Sequence, residues 1–310
     1  MKYIEINGLY KSFGDFIALE NLNLTIEKGD IFGLLGPNGS GKSTTINILT
    51  NILDKDRGSI KICNKEVKKS DSELKGKLGI VPQDLAIFED MTALENVMFF
   101  GSLYGLRGKE LKEKSLKALE FVGLEESKKL SKTFSGGMKR RLNIACGIVH
   151  GPEILILDEP TVGIDPQSRN HIMKSIKILN SNGCTIIYTT HYMEEVEALC
   201  NNIAIIDKGK VIAKGSKDSL KSIISNKNKF EVLVNDITNI DEKELSTIKG
   251  IDSVEFKENK IYISIDREKN SLNEFILYLS SRDIKILDIK SKVITLEDVF
   301  LNLTGRKLRD

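Results

Sequence analysis

A glycine-rich octapeptide near the N-terminus of this 310-residue chain has the residue types and spacing of a phosphate-binding loop. It fits the pattern G-x-x-x-x-G-K-[ST], and it consists of Gly36, Pro37, Asn38, Gly39, Ser40, Gly41, Lys42 and Ser43. The glycines let backbone N–H groups turn toward an anion, and the helix predicted to start at Thr44 adds its positive dipole end. In this motif the lysine holds the β- and γ-phosphates and the serine hydroxyl binds Mg²⁺. The sequence therefore predicts a site for a nucleoside triphosphate and Mg²⁺.

Two acids follow a short apolar run further along the chain. Ile154–Leu157 reads as a buried strand, Asp158 ends it and Glu159 comes next. In phosphate-loop enzymes the first carboxylate orders Mg²⁺, usually through water. A second carboxylate beside the metal suits a general base that polarises the attacking water. The alternative is a pair of solvated turn acids, but an apolar strand that delivers two acids to a nucleotide site argues against it.

A turn of small residues precedes these acids. Ser135, Gly136 and Gly137 stand at the head of a polar helix, and Met138 follows them. Small residues let the backbone approach an anion closely, and a helix start supplies positive potential. The charge run at 139–141 that comes next is predicted to be a solvated helix face, because it is too short and isolated to indicate nucleic-acid binding.

Alternating strands and helices position these residues over positions 1 to about 220. Tyr3–Leu9 and Leu22–Ile26 alternate like half-buried strands. Short apolar runs follow, each succeeded by polar residues and then helical periodicity, and a final hairpin turns at Lys208-Gly209. This pattern predicts an α/β sheet with phosphate chemistry at the strand ends.

The character of the sequence changes after Ser219. The polar stretch 221–229 is predicted to be a linker. Residues 230–310 then show the order β-α-β-β-α-β, which predicts a small α+β domain of ferredoxin-like type, followed by a last helix over Leu296–Leu303.

Composition excludes few classes. Charged residues make up 29% of the chain and the formal net charge is +2, so bulk charge favours neither nucleic acid nor an anionic membrane surface. The four cysteines form no CxxC pair, which favours reduced thiols over a metal site or a disulfide framework. No apolar run approaches the roughly 20 residues that span a bilayer. If the protein works on a membrane, another chain must supply the spanning helices.

Six motifs in a fixed order give the chain its resemblance to the nucleotide-binding subunits of ATP-binding cassette (ABC) transporters. The resemblance covers residues 1 to about 220. Besides the phosphate loop and the Ser135-Gly136-Gly137 turn, the motifs are Gln83 in Val81-Pro82-Gln83-Asp84, Asp158-Glu159-Pro160-Thr161, Asp165 in Gly163-Ile164-Asp165-Pro166, and His191 in Thr189-Thr190-His191. The resemblance implies an ABC ATPase domain with a mixed sheet and a helical subdomain at about 85–150.

The resemblance also implies a role for each matching residue. Gln83 would reach Mg²⁺ and the attacking water, beside a segment at 85–88 that in the family borders the groove for the membrane partner. His191 would contact the γ-phosphate and orient Glu159. Phe13 stands where the family places an aromatic ring that stacks on adenine, with Tyr10 as a second candidate. Burial in the core is the rival explanation for both rings.

Two further positions imply a second subunit. In the family the turn that Ser135-Gly136-Gly137 matches caps the γ-phosphate of ATP held by the opposite cassette, and Asp165 lies at the subunit seam. One copy of the chain would then be an incomplete enzyme. Because the chain carries a complete motif set, a homodimer with two equivalent sites is chemically possible.

The sequence after the turn points to one branch. Met138-Lys139-Arg140-Arg141-Leu142 resembles the ABC-2 branch, typified by daunorubicin-resistance-type exporters, as do Thr190-His191-Tyr192-Met193-Glu194-Glu195 and the tail from Thr295 to Gly305. The implied protein is an ATPase that binds ATP and Mg²⁺, lies at the cytoplasmic face of the cell membrane and drives an ABC-2 permease, without a nucleic-acid partner. The rival is a soluble cassette ATPase acting on ribosomes or DNA, and a third hypothesis is an ATP-binding clamp without turnover.

Overall fold

The chain folds into two compact units, Met1–Lys217 and Asp218–Lys307. The computed structural model describes residues 1–67, 71–124, 128–224, 227–238, 240–266, 269, 271–292 and 295–305. Among these residues, no helix combines the length and the apolar character needed to cross a membrane.

The described residues of the first unit form ten strands. The strands are β1 (Lys2–Phe13), β2 (Phe16–Glu27), β3 (Ile31–Leu35), β4 (Arg57–Ile62), β5 (Lys65–Glu66), β6 (Leu78–Val81), β7 (Ile154–Asp158), β8 (Thr185–Thr190), β9 (Asn202–Asp207) and β10 (Lys210–Ser216). The α-helices of this unit are α1 (Lys42–Leu49), α2 (Ser72–Lys77), α3 (Ala93–Leu103), α4 (Gly108–Phe121), α5 (Gly136–Ile148), α6 (Pro166–Ser181) and α7 (Met193–Leu199). Helix α8 (Lys217–Ile224) begins at the last residue of this unit and otherwise belongs to the second unit.

The central sheet has six strands in the order β10-β9-β3-β8-β7-β6. Neighbours from β9 to β6 pair in parallel, and β10 pairs antiparallel with β9. Each of β3, β7 and β8 is buried along its whole length, which explains why their sequences are near-continuous apolar runs. The carboxyl ends of the parallel strands share one edge, where the loops that follow β3, β6, β7 and β8 meet.

A second sheet, in the order β2-β1-β4-β5, packs against the first through one shared core. Ile4, Leu24 and Ile60 from this sheet join Phe32 and Ile156 from the central sheet in that cluster. The strands β1 and β2 form a longer hairpin than the alternation predicted, because their register continues to Phe13 and Phe16. The combination of sheets and helices confirms the predicted α/β cassette fold.

The helices α3, α4 and α5 lie between β6 and β7 in the chain. Thr92 and Glu95 form a reciprocal capping box at the start of α3, while Ser135 caps α5 and Asp165 caps α6. These caps satisfy backbone N–H groups that a helix start leaves unpaired. They also fix where two sequence-predicted site motifs begin.

The second unit consists of β11 (Lys227–Val234), α9 (Glu242–Thr247), β12 (Ile251–Lys257), β13 (Lys260–Asp266), α10 (Ser271–Ser281), β14 (Ile286–Lys292) and α11 (Leu296–Thr304). Its antiparallel sheet has the order β12-β13-β11-β14 and packs a core that includes Val232, Ile263 and Phe275. Its assignment as ferredoxin-like stays a prediction.

The structure differs from the linker predicted at 221–229. Helix α8 occupies the first part of that stretch, and β11 begins at Lys227. Apolar residues recur at helical spacing, at Leu220, Ile223 and Ile224, and Leu220 is fully buried. Of the polar residues that suggested a linker, Lys221 and Ser222 lie between these apolar positions on α8.

Candidate functional site

Four of the predicted site residues lie at one edge of the central sheet, at or just after the ends of four neighbouring parallel strands. Gly36 follows β3, His191 follows β8, Asp158 ends β7, and Gln83 lies beyond β6. Because the strands adjoin in the order β3-β8-β7-β6, these residues follow the same sequence along the edge. Residues up to 155 positions apart are thus brought together by strand order rather than by proximity in the chain.

The phosphate loop is closely packed on its inner side. A Cβ at Gly41 would lie 2.7 Å from Cδ2 of Leu19 and 2.9 Å from the carbonyl oxygen of Ala18, and Gly41 adopts φ 108°. A Cβ at Gly36 would collide with the carbonyl oxygen of Ile206. Both positions therefore need glycine, one for its backbone conformation and both for space.

Lys42 is buried at the start of α1, and only 5% of it is exposed. Its Nζ donates to the carbonyl oxygens of Gly36 at 2.8 Å and Pro37 at 3.1 Å, and it lies 3.4 Å from Oε1 of Glu159. Burial lowers the pKa of Lys42, while the charges of Glu159 and Asp158 act in the opposite direction. The ammonium group is thus held over the loop and beside both acids.

The two acids are held differently. The hydroxyl of Thr189 on β8 donates to Oδ1 of Asp158. It also accepts a hydrogen bond from the backbone N–H of Glu159 at 3.0 Å. Glu159 itself has φ 47°, and its Oε2 lies 3.4 Å from Nδ1 of His191. The Glu159 carboxylate therefore stands between Lys42 and His191, as a general base with an orienting partner requires.

The Ser135 turn and Asp165 lie close together on exposed helix starts. Oγ of Ser135 accepts from the N–H of Met138 at 3.3 Å, and Oδ1 of Asp165 accepts from the N–H of Ser168 at 2.9 Å. This second bond holds the pKa of Asp165 below its usual value. A Cβ at Gly137 would lie 2.8 Å from Cβ of Ser168 and 3.1 Å from Oδ2 of Asp165. The two motifs therefore pack directly on each other within one chain.

The charge run after the turn is not the solvated face that the sequence predicted. Lys139 pairs with Glu89, and Arg140 is buried and donates to the carbonyl oxygen of Pro82 at 3.1 Å. Arg141 donates to the carbonyl oxygens of residues 122 and 123, and its burial lowers its pKa. Charge patterning fails here because each long side chain carries its charged group to a different backbone segment.

Gln83 is exposed in a loop that α5 supports. Asn143 spans this loop, because its amide donates to the carbonyl oxygen of Pro82 at 3.4 Å and its oxygen accepts from the N–H of Ala86 at 3.2 Å. Beyond the loop, Phe88 is 45% exposed and contacts Phe99 edge to face, with ring centroids 4.9 Å apart. The segment that contains Gln83 is therefore tied to the helix that begins at the Ser135 turn.

Phe13 ends β1 at the turn to β2 and is 50% exposed, so burial in the core does not explain it. Its ring lies 5.5 Å from Nζ of Lys11. Tyr10 is half-buried, with the guanidinium group of Arg57 5.5 Å from its ring. Of the two candidates, Phe13 presents the more accessible aromatic face.

Sequence reasoning missed Thr189 and Arg140 as parts of this site. In the motif Thr189-Thr190-His191 the histidine is the predicted site residue, yet the Thr189 hydroxyl hydrogen-bonds the Asp158 carboxylate and the backbone N–H of Glu159. One feature of the sequence could have indicated this role. Thr189 lies near the end of a fully buried strand, beside the strand that ends at Asp158. For Arg140, no signal in the sequence distinguishes it from its charged neighbours.

The chain is similar to known proteins over most of its length. A family model described as ABC transporter matches residues 19–162. The linearmycin resistance ATP-binding protein LnrL of Bacillus subtilis is 42% identical over 99% of this chain and 100% of its own length. The chain belongs to the ABC transporter family. The daunorubicin resistance ATP-binding protein DrrA2 of Streptomyces coeruleorubidus is 31% identical over 98% of this cassette protein and 95% of its own length.

Among solved structures, the cassette is similar to MJ0796, an ATP-binding cassette whose dimer was solved in a post-hydrolysis state bound to ADP and Pi. The TM-score is 0.63 at 29% identity, over 69% of this chain and 98% of that one. The cassette is therefore an ATP-binding subunit that hydrolyses ATP. The predicted resemblance to the resistance-type exporter branch is confirmed by the relatives, and the ribosome- or DNA-directed alternative is not favoured.

Proposed function

We propose that the protein is the ATP-driven motor of an ABC-2 type exporter. Two copies close head to tail on two ATP molecules, closure moves the helices of a separate integral membrane permease, and hydrolysis resets the dimer. The drug-resistance names of two full-length relatives support export of a drug- or antibiotic-like compound. The dimer of MJ0796 bound to ADP and Pi supports the paired arrangement.

Within this proposal, residues 1–220 are the ATPase domain, with the helical subdomain at about 85–150. The remainder, at 230–310, is an accessory domain of ferredoxin-like type that stabilises or regulates the dimer. The separate core of the second unit supports a distinct accessory domain.

Each nucleotide site is proposed to take residues from both copies. The loop Gly36–Thr44 binds the phosphates, Phe13 stacks on adenine, and Glu159 acts as the general base with His191 as its orienting partner. Gln83 would help to hold Mg²⁺ and the attacking water. The turn at 135–137 of the second copy caps the γ-phosphate through its helix start, with its Asp165 at the seam.

The residues present fit Mg²⁺. Ser43 offers a hydroxyl at the start of α1, Gln83 an amide oxygen, and Asp158 a carboxylate that Thr189 holds in place. These are the oxygen ligands that Mg²⁺ prefers, next to substrate phosphates. When bound, the metal would neutralise charge that develops on the phosphate oxygens. The protein's own part is to hold these oxygens at the edge of the sheet.

The exposed apolar residues beside Gln83 support a protein partner. Leu85 is 40% exposed and Phe88 is 45% exposed, both on a segment tied through Arg140 and Asn143 to helix α5. A surface of this kind suits contact with another protein. We assign it to the permease, which places this chain at the cytoplasmic face of the membrane. No nucleic-acid partner is proposed.

One observation carries the proposal: the Glu159 carboxylate lies 3.4 Å from both Nζ of Lys42 and Nδ1 of His191. The variant Glu159→Gln keeps the shape of this side chain and removes its basicity. We expect it to bind ATP like the wild type, to lose turnover by about 10²-fold or more, and to accumulate as an ATP-bound dimer. Size-exclusion chromatography with ATP and a phosphate-release assay measure both effects.

The matched control is Glu113→Gln, which removes an exposed acid on α4. It should hydrolyse ATP at the wild-type rate and form no stable dimer. Normal hydrolysis by Glu159→Gln would remove Glu159 from the proposed mechanism. Loss of turnover without an ATP-bound dimer would contradict the head-to-tail arrangement.

A further inference from the structure

A buried carboxylate lies behind the proposed hydrolytic site and contacts three hydroxyl groups. Glu195, on α7, is only 2% exposed. Its Oε2 accepts hydrogen bonds from Oγ1 of Thr161 at 2.8 Å, from the hydroxyl of Tyr188 at 2.8 Å and from Oγ1 of Thr190 at 3.1 Å. Burial, followed by the charge of Glu195, raises the pKa of Tyr188, so this hydroxyl stays protonated and donates.

The second oxygen of the same carboxylate faces a cation on another helix. Nε of Arg169 lies 3.4 Å from Oε1 of Glu195. Arg169 is in the first turn of α6, and its backbone N–H donates to the carbonyl oxygen of Asp165 at 3.0 Å. Its guanidinium group also lies 5.2 Å from the ring of Tyr192, which in turn is 4.2 Å from the ring of His191.

The partners of Glu195 come from three separate segments, each next to a proposed site residue. Thr161 is two residues after Glu159, and Thr190 immediately precedes His191. The hydroxyl of Thr190 also accepts from the N–H of Tyr192 at 3.0 Å, which closes a tight turn around His191. Arg169 adds the helix that Asp165 caps.

A buried carboxylate is costly unless it is paired and hydrogen-bonded. Around Glu195, three neutral donors hydrogen-bond Oε2, while Oε1 faces the Arg169 cation at 3.4 Å and accepts no hydrogen bond from the described residues. The hydroxyl donors adjust by rotation, whereas the Arg169 pair links two helices and depends on charge. The charge of Glu195 therefore acts mainly on the relative position of α6 and α7.

We infer that Glu195 is a positioning residue for ATP hydrolysis: its carboxylate, paired with Arg169, fixes the His191 turn relative to the helix that begins at Asp165. This inference rests on the proposed roles of His191 and Asp165. The inference predicts a defect in turnover rather than in ATP binding. The contacts of Glu195 described above do not include Lys42, at the start of α1, or the phosphate loop between β3 and α1.

The test is Glu195→Gln, which keeps the size of the side chain and an oxygen for the hydroxyl donors but loses the charge that attracts Arg169. We expect kcat to fall about 10- to 100-fold, as misplacement of catalytic groups produces, with KM for ATP within about threefold of wild type. Glu194→Gln is the matched control, since Glu194 is the exposed neighbour on α7. It should leave kcat and KM unchanged.

Arg169→Gln breaks the same pair from its half-buried end and should lower kcat to a similar extent. If the pair acts as a unit, the Glu195→Gln/Arg169→Gln double variant falls no further than either single variant. Arg169→Lys, which keeps the positive charge, should recover part of the lost kcat. Should Glu195→Gln unfold below assay temperature, Arg169→Gln carries the test alone.

Three results would overturn the inference: wild-type kcat in Arg169→Gln, additive losses in the double variant, or a rise in KM that matches the fall in kcat. Failure of the proposed site itself is distinguishable. It would appear as normal hydrolysis by Glu159→Gln, whatever the behaviour of the Glu195 variants.

Discussion

The two groups of predicted site residues differ in how the chain holds them. Lys42 and Glu159 are buried, contact each other and lie in a network that extends to His191 and Thr189. Ser135 and Asp165 are exposed, each caps a helix start, and the Gly137 backbone packs against Ser168 and Asp165. The buried group, which we call the buried half of the site, is arranged by contacts within its own chain; Ser135 and Asp165 belong to the exposed half. Ser135 and Asp165 lie at the surface, as expected if they serve a nucleotide held by another copy.

This contrast separates two functions that a single activity assay combines. Loss of the Lys42 ammonium group from the buried half should impair ATP binding by a monomer, whereas loss of the Glu159 carboxylate should impair turnover. Variants of the exposed half should leave that binding intact and impair only turnover by the dimer. The following changes test the separation, in descending order of expected effect.

Lys42→Met keeps the buried apolar stem but removes the ammonium group that lies over the loop. We expect the Kd for ATP of the monomer to rise about 10²-fold, because a positioned cation on phosphate is lost from a buried site. Lys139→Met removes a cation from the exposed half and is the control. Equilibrium binding of a fluorescent ATP analogue measures both. Equal weakening in the two variants would contradict the separation of functions.

Gly137→Ala adds a methyl group 2.8 Å from Cβ of Ser168. The clash must move the turn or the start of α6, so turnover should fall about tenfold and the free energy of unfolding by about 1–3 kcal/mol, with monomer ATP binding unchanged. At Gly136 a Cβ meets open space. Gly136→Ala should therefore keep wild-type folding stability in urea titrations. A comparable destabilisation of both variants would show that the contact with Ser168 is not the cause.

Met138→Gln introduces a side-chain amide into the turn that follows Ser135. Met138 contributes its backbone N–H to the cap of α5, and its side chain is only partly exposed. Because helix starts bind anions through backbone donors, we expect kcat to change less than about twofold. A large gain in kcat would mean that the turn acts through its side chain at residue 138 as well.

The sequence was sufficient to locate Lys42, Asp158 and Ser135, with their motifs, relative to strands and helices, because strand, loop and helix follow each other within a few residues. The catalytic and binding roles of these residues, and of Asp165, stay predictions. The family assignment and the α/β cassette fold followed from the order of these motifs, and both are confirmed.

The contacts that depend on burial could not be predicted. Arg140 and Glu195 look like ordinary surface charges in the sequence, because nothing local indicates that a charged group will find its partner over 50 or 30 positions away. Their pairing with Pro82 and Thr161 exists only once α5 and α7 pack on the sheet. Helix α8 was not predicted for a related reason. Its buried side is formed by a few apolar residues in a mostly polar segment, and the polar composition suggested a linker.

Glu159 adopts a left-handed backbone conformation, φ 47°, which residues other than glycine, asparagine and aspartate seldom adopt. Strain of this kind costs on the order of 1–3 kcal/mol and persists only where the surroundings enforce it. Selection for folding alone would replace such a residue, whereas selection for turnover retains it. In a gene copy that has lost its transport role, position 159 should therefore be among the first in the ATPase unit to drift, and toward glycine or asparagine.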